Sequence, residues 1–290
     1  MANRDRSYAG NAPGDLFVDQ TCIDCDTCRQ VAPLTFHEVD GHAEVHTQPV
    51  DPAALHAAAQ AQLCCPTQSI GGAAPAVVRA ALAAFPLPLA EGVFACGFNA
   101  EASYGAHSYL LVRPEGNWLV DSPRWVPQLV AAIAARGGLR GIVLTHRDDV
   151  AAAARYAEHF GATRLIHAAD ADAAPGAQTI TGEAAVAIAA GLRLLPVPGH
   201  TAGSVALIAD GRYCFSGDHL WYSRRLGRLH ASRAVCWHSW PQQCRSMQRL
   251  AQESFSWVLP GHGQRYQAAT PEAMRAELLA LSKLMTTSQE

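Results

Sequence analysis

The chain has 290 residues, 49% hydrophobic and 16% charged, with a formal net charge of −3. That is enough apolar material for about two packed domains of ~150 residues, which excludes a disordered chain. The near-neutral balance gives no footing for nucleic acid or a membrane surface as a partner. The charge is unevenly spread: residues 1–70 carry three arginines against nine acids, while the remainder is mildly basic. An acidic head on a basic body predicts two modules. The start, Met1-Ala2-Asn3-Arg4, runs into Gly, Pro and Asp and reads as no secretory leader. The most apolar stretch, residues 73–90, is broken by Arg79, Pro86 and Pro88, so no membrane span is expected and a cytoplasmic chain is. Nine cysteines in a reducing compartment read as metal ligands or buried thiols.

The first module opens on Cys22-Ile23-Asp24-Cys25-Asp26-Thr27-Cys28, with Cys65-Pro66 much later. Three thiolates at two-residue gaps wrap one cuboidal cluster, and the fourth ligand comes from elsewhere in the fold. Zinc is the competing reading, although zinc sites favour two separated pairs. Residues 38–45 alternate around Asp40-Gly41 and predict a hairpin. Residues 52–63 are Ala-rich and helical. The segment resembles bacterial-type ferredoxins over residues 15–72. In two-cluster members a further Cys-Pro follows the triplet; here that place reads Ala32-Pro33, so the resemblance implies one 4Fe–4S cluster on Cys22, Cys25, Cys28 and Cys65. The proline marks Cys65 as the ligand and Cys64 as the spare, with one residue of ambiguity. So short a piece has too little core to stand alone, and the cluster is expected to staple it.

Residues 73–92, with Gly71-Gly72 before them, read as a linker. From residue 93 to 290 strands and helices alternate. Strands are predicted at 108–112, 118–121, 141–145, 164–167, 193–197, 204–209, 212–216 and 256–259. Helices are predicted at 125–136, 150–160, 241–253 and 271–285. Strand-rich ends with helices between predict a layered α/β fold. Four histidine- or aspartate-bearing turns follow apolar strands: Thr145-His146-Arg147-Asp148-Asp149, Pro198-Gly199-His200-Thr201, Ser216-Gly217-Asp218-His219 and Pro260-Gly261-His262-Gly263. Imidazoles and carboxylates are the usual N/O ligands of zinc, iron or manganese, and glycine beside them lets the chain turn sharply.

This ordered set resembles the metallo-β-lactamase superfamily over residues 93–265. The resemblance implies a four-layer α/β/β/α sandwich preceded by a small α+β ferredoxin-like domain. It departs at the main signature, His-x-His-x-Asp-His. Aligned on His146, the second histidine becomes Asp148, and the last Asp and His become Val150 and Ala151. One metal position therefore survives, on His146, His200 and Asp218 with Asp148 as fourth ligand; flavodiiron proteins of the same fold use a carboxylate at that place. His262, from the lost position, is left to bind substrate or hold a water, and Asp148 and His262 are the catalytic candidates. Asp121 corresponds to the superfamily's bracing aspartate, and Asp149 is expected to orient a ligand imidazole.

Three functions stand open. A metal-dependent hydrolase acting on a small molecule fits the superfamily. A mononuclear-iron oxidoreductase, similar to persulfide dioxygenases and fed by the cluster from an electron donor protein, fits the two-His-one-Asp remnant. A non-catalytic redox sensor needs only the cluster. The bound metal is read as iron or zinc. Arg224, Arg225, Arg228 and Arg233 read as a solvated loop, or as a substrate lid or dock for the acidic head. Cys236 is a candidate reactive thiol and Cys214 a core residue. The sequence leaves the oligomeric state and substrate open.

Overall fold

The computed structural model describes residues 1–287 and divides into two compact units, one of residues 1–117 and 122–139, the other of residues 118–121 and 140 onward.

In the first unit, Phe17–Val18 pairs antiparallel with Ile70–Gly71, in register Val18 to Ile70. This closes the ends of the acidic module and brings the Cys65 turn back to the Cys22–Cys28 loop. Phe36–Val39 and His42–Val45 form the expected hairpin, with Asp40 (φ 46°) and Gly41 (φ 80°) both left-handed, as a two-residue turn of matching twist requires. The helix Pro52–Cys64 begins with proline in its first turn, and the Asp51 carboxylate accepts from Ala54 N–H at 2.8 Å. Such a cap stabilises by about 1 kcal/mol. Leu16, Val18, Phe36, Val45, Ala58, Ala61 and Ile70 make a small core beneath Cys28 and Cys65.

Residues 73–92 are largely structured: the helix Pro75–Ala83 is followed by the strand Leu87–Ala90, which pairs with Val93–Ala95. Tyr109–Leu111 pairs antiparallel on the far side of Val93–Ala95. The helix Pro127–Ala134 completes the unit, burying Leu129, Val130 and Ile133.

The second unit holds four parallel strands in the order Trp118–Val120, Gly141–Val143, Thr163–His167 and Gln178–Ile180. Its other sheet runs Val186–Ala189, Leu192–Pro196, Val205–Ala209, Tyr213–Gly217, Trp257–Pro260 and Tyr266–Gln267. Strands Val205–Ala209 and Tyr213–Gly217 are buried at every position, the first through an unbroken apolar run. Helices Trp240–Leu250 and Pro271–Thr287 set Met247, Leu250, Met274 and Leu278 against Leu195, Ile208 and Val258. Each of the four chemistry-bearing turns leaves a strand at its C-terminal end, so rigid backbone fixes every donor. Among the described residues no helix is long and apolar enough to cross a membrane.

Candidate functional site

His146 follows the strand Gly141–Val143, and its orientation is fixed from behind. Asp121 accepts from Thr145 N–H at 2.8 Å and from the Thr145 hydroxyl at 2.9 and 3.0 Å. The hydroxyl's one proton is thereby committed to Asp121, so Thr145 Oγ1, 3.0 Å from His146 Nδ1, accepts from that nitrogen. His146 Nε2 is left as a lone pair aimed into the site. Burial lowers the His146 pKa to about 4, and His200 adds to this against the pull of Asp218. Gly217, at φ 50°, lets the Asp218 strand pass here: a Cβ would stand 2.5 Å from Thr145 Oγ1.

His200 is oriented in the same sense. Its Nδ1–H donates to the Val235 carbonyl at 2.6 Å, and its own carbonyl accepts from Trp237 and His238 N–H at 3.0 Å each. The Nε2 atoms of His146 and His200 are both buried without a hydrogen-bond partner. His200 Nε2 lies 3.4 Å from Asp148 Oδ2 and 3.7 Å from Asp218 Oδ2. His146 Nε2 lies 3.8 and 3.7 Å from the same two oxygens. Ligands at about 2.1 Å from a tetrahedral ion stand about 3.4 Å apart. Two orphaned imidazole nitrogens and two carboxylate oxygens at nearly that spacing fit one divalent ion.

The charge pattern agrees. Burial pushes the Asp218 carboxyl up, but the imidazoles of His262, His146 and His200 outweigh it and hold the group well below the usual range. His262 Nδ1 lies 2.9 Å from both Asp218 oxygens. Asp148 is lowered by its contact with His200 and remains half open to solvent. Burial pulls His200 down, and Asp148 and Asp218 more than restore it.

Asp149 stands elsewhere than expected. It lies 3.9 Å from His146 Nδ1, too far to orient the ring, and Thr145 takes that role instead. The 3-10 turn Arg147–Asp149 carries its carboxylate inward, where a Cβ on Gly261 would meet both Asp218 Oδ1 at 2.6 Å and Asp149 Oδ2 at 2.9 Å. Both Asp149 oxygens are buried without partners. Burial, with Asp218, Asp121 and Asp148 nearby, pushes its pKa far up. Val150 and Ala151 follow it and offer no donor.

Sequence reasoning missed Asp170. Fully buried, it accepts from Arg147 N–H at 3.1 Å, Thr201 Oγ1 at 2.6 Å and Gly203 N–H at 3.1 Å. It therefore ties the His146 turn to the His200 turn. Its Ala-Asp-Ala-Asp context carries no motif; only the buried carboxylate shows the role. His219, next to Asp218, is buried and held neutral, burial lowering its pKa to about 3. Arg224, Arg225, Arg228 and Arg233 are exposed on and after a hairpin of Trp221–Ser223 with Arg228–His230. The Cys236 thiol donates to Gly199 O at 3.1 Å, and Cys214 is fully buried in its strand.

In the first unit, Cys22, Cys25, Cys28 and Cys65 line one small pocket, with Thr67 and Ser69. Ser69 N–H donates to Cys65 Sγ at 3.2 Å and Ala43 N–H to Cys22 Sγ at 3.4 Å, the bonds that cluster thiolates accept. Burial pushes the Cys25 thiol up to about 11 and the Cys28 thiol well above the usual range, so binding a metal here would release their protons. Cys64 does not line the cavity; its Sγ lies against Gly97. Arg29 is buried in ion pairs with Asp24 at 2.6 Å and Asp26 at 2.5 Å, which pin the loop between the ligands.

Residues 18–72 match the 4Fe-4S single cluster domain of Ferredoxin I. The chain is similar to the hydroxyacylglutathione hydrolase of Xanthomonas euvesicatoria pv. vesicatoria, 30% identical over 147 residues, which is 49% of this chain and 54% of that protein. It is similar to the hydroxyacylglutathione hydrolase of Anaeromyxobacter dehalogenans, 38% identical over 122 residues, 40% of this chain and 47% of that one. The chain thus spans about half the length of the curated relatives it matches. Among solved structures, the metallo-β-lactamase FIM-1 from Pseudomonas aeruginosa aligns at TM-score 0.50 and 17% identity, covering 67% of this chain and 94% of that one. The metallo-β-lactamase from Erythrobacter litoralis aligns at TM-score 0.50 and 19% identity, covering 68% and 94%.

The layered sheets are those of the metallo-β-lactamase fold, a four-layer α/β/β/α sandwich. This particular chain sets a small α+β single-cluster ferredoxin domain ahead of that fold.

Proposed function

We propose that the chain is a metal-dependent hydrolase with a fused 4Fe–4S electron-transfer module, its substrate a small acyl thioester of the hydroxyacylglutathione kind. The observation that carries the reading is the pair of buried, unpartnered Nε2 atoms of His146 and His200, facing Asp148 and Asp218 at 3.4–3.8 Å. Cys22, Cys25, Cys28 and Cys65 would hold the cluster, and His146, His200, Asp218 and Asp148 would hold one further ion, zinc or iron. That ion would supply Lewis acidity and lower the pKa of a bound water. Asp148, the most open of the four, would orient the attacking water and take up its proton. His262, tethered through Nδ1 to Asp218, positions the substrate's carbonyl oxygen. The named relatives supply the substrate class.

The cluster favours a second reading, since hydrolysis needs no electrons: a mononuclear-iron oxidoreductase fed through the first module. Thioester hydrolysis measured on the full chain, His200→Ala and Cys25→Ser separates the two. A hydrolase loses turnover in His200→Ala and keeps it in Cys25→Ser. Absent hydrolysis, with cluster-dependent oxygen consumption on a thiol persulfide, supports the second reading.

A further inference from the structure

The loop after Val93–Ala95 and the segment before Pro127–Ala134 contain no cluster-binding motif, yet within the first unit one packs against Cys25 and the other bonds the Cys65 carbonyl. Gly105 is at φ 85°, and a Cβ there would stand 2.7 Å from Cys25 Cβ, 3.0 Å from Cys25 Sγ and 3.1 Å from Pro66 Cγ. No side chain fits between this backbone and the ligand. The turn is held by hydrogen bonds. Gly105 N–H donates to Ala100 O at 2.9 Å, and Asn99 Nδ2 donates to Gly105 O at 2.7 Å. Asn99 Nδ2 also lies 3.1 Å from Thr27 Oγ1, and that hydroxyl lies 3.4 Å from Gly105 O. Thr27 stands between the ligands Cys25 and Cys28. On the other side, Arg124 donates through Nη1 to Cys65 O at 2.9 Å and Asn99 O at 3.1 Å, and through Nη2 to Leu63 O at 2.7 Å. One guanidinium fork thus joins the carbonyl of a cysteine ligand to the residue that holds Gly105.

We infer that the cluster site is composite: Gly105, Asn99 and Arg124, which lie outside the ferredoxin motif, close it over Cys25 and Cys65. This rests on the reading of the four cysteines as cluster ligands. Gly105 seals the Cys25 edge by backbone contact, so water and oxygen meet less of the cluster. Arg124 brings a fixed positive charge to the Cys65 loop. A reduced 4Fe–4S cluster with four thiolates is more negative than the oxidised one, so that charge favours reduction. The four-cysteine module is therefore incomplete without these three residues.

The test uses the full chain, reconstituted anaerobically, with Gly105→Ala, Asn99→Ala, Arg124→Gln and Arg124→Lys. Gly105→Ala and Asn99→Ala should shift the paramagnetic resonance spectrum of the reduced cluster and shorten its lifetime in air relative to the unmutated chain. Arg124→Gln should move the midpoint potential downwards, and Arg124→Lys should recover part of that shift. Should Gly105→Ala fail to fold, the other three variants decide. Spectra, lifetimes and potentials unchanged across the variants that fold overturn the inference while leaving the cluster reading standing. A full-length chain that assembles no cluster overturns the cluster reading, and this inference with it.

Discussion

His200 Nδ1 lies 2.6 Å from the main-chain oxygen of Val235. A carbonyl can only accept, so Nδ1 carries the proton and Nε2 the lone pair. The neutral ring therefore presents Nε2 for ligation. His200→Ala should remove the second-module ion and leave the cluster's visible absorption unchanged. Elemental analysis beside an absorption spectrum checks both halves of that expectation.

Asp121 acts on the same centre from one residue further back. Asp121→Ala leaves the buried Thr145 N–H and hydroxyl without their acceptor, at a cost of about 1–3 kcal/mol. It also frees the Thr145 hydroxyl to donate to His146 Nδ1, which favours the wrong tautomer for Nε2 ligation. Ion affinity should fall about 10–100-fold, read by competition with a chromogenic chelator.

Asp170→Ala should have a related effect through geometry. It cuts three hydrogen bonds that join the His146 and His200 turns. Thermal stability should fall by about 2–4 kcal/mol, and ion affinity with it. Asp170→Asn should fall between, because its carbonyl oxygen still accepts.

Asp149 predicts a pH dependence of the metal-free protein. Its folded pKa is raised, so its contribution is fully present below the ordinary carboxylate range near ~4 and is lost as pH rises through the folded value. Stability should decline with pH across that window, by at most about 1.4 kcal/mol per pH unit for this group. Asp149→Asn should flatten the decline. An unchanged slope in denaturant melts at several pH values would contradict the assignment.

Cys65→Ser should disrupt the cluster and Cys64→Ser should not, because Cys64 Sγ faces Gly97 and lies outside the cavity. Loss of the cluster in Cys64→Ser with retention in Cys65→Ser would reverse the ligand assignment.

Much of the scaffold was legible because its signals are local. Asp40-Gly41 demands a left-handed turn, and the apolar runs ending at His146, His200, Asp218 and His262 are short enough to be only buried strands. The strand Leu87–Ala90 was hidden by Pro86 and Pro88, which read as a connection; Pro88 is tolerated because the strand pairs on one side only. The hairpin of Trp221–Ser223 with Arg228–His230 was hidden by its arginines. Asp149 was expected to orient a ligand imidazole from its place beside the motif, but the 3-10 turn sets it 3.9 Å from His146 Nδ1 and Thr145 bonds the ring instead. Asp170 and Gly105 were invisible because each acts across distant chain, through a buried carboxylate or a missing Cβ.

The central claim is one ion beyond the cluster, held by His146, His200, Asp218 and Asp148. Iron, zinc and sulfide counted on the full chain and on His200→Ala, purified anaerobically, test it most directly. The account predicts about four cluster irons and one further ion per chain, with only that ion missing from His200→Ala. Two further ions per chain, or a His200→Ala protein that keeps its ion, would contradict it.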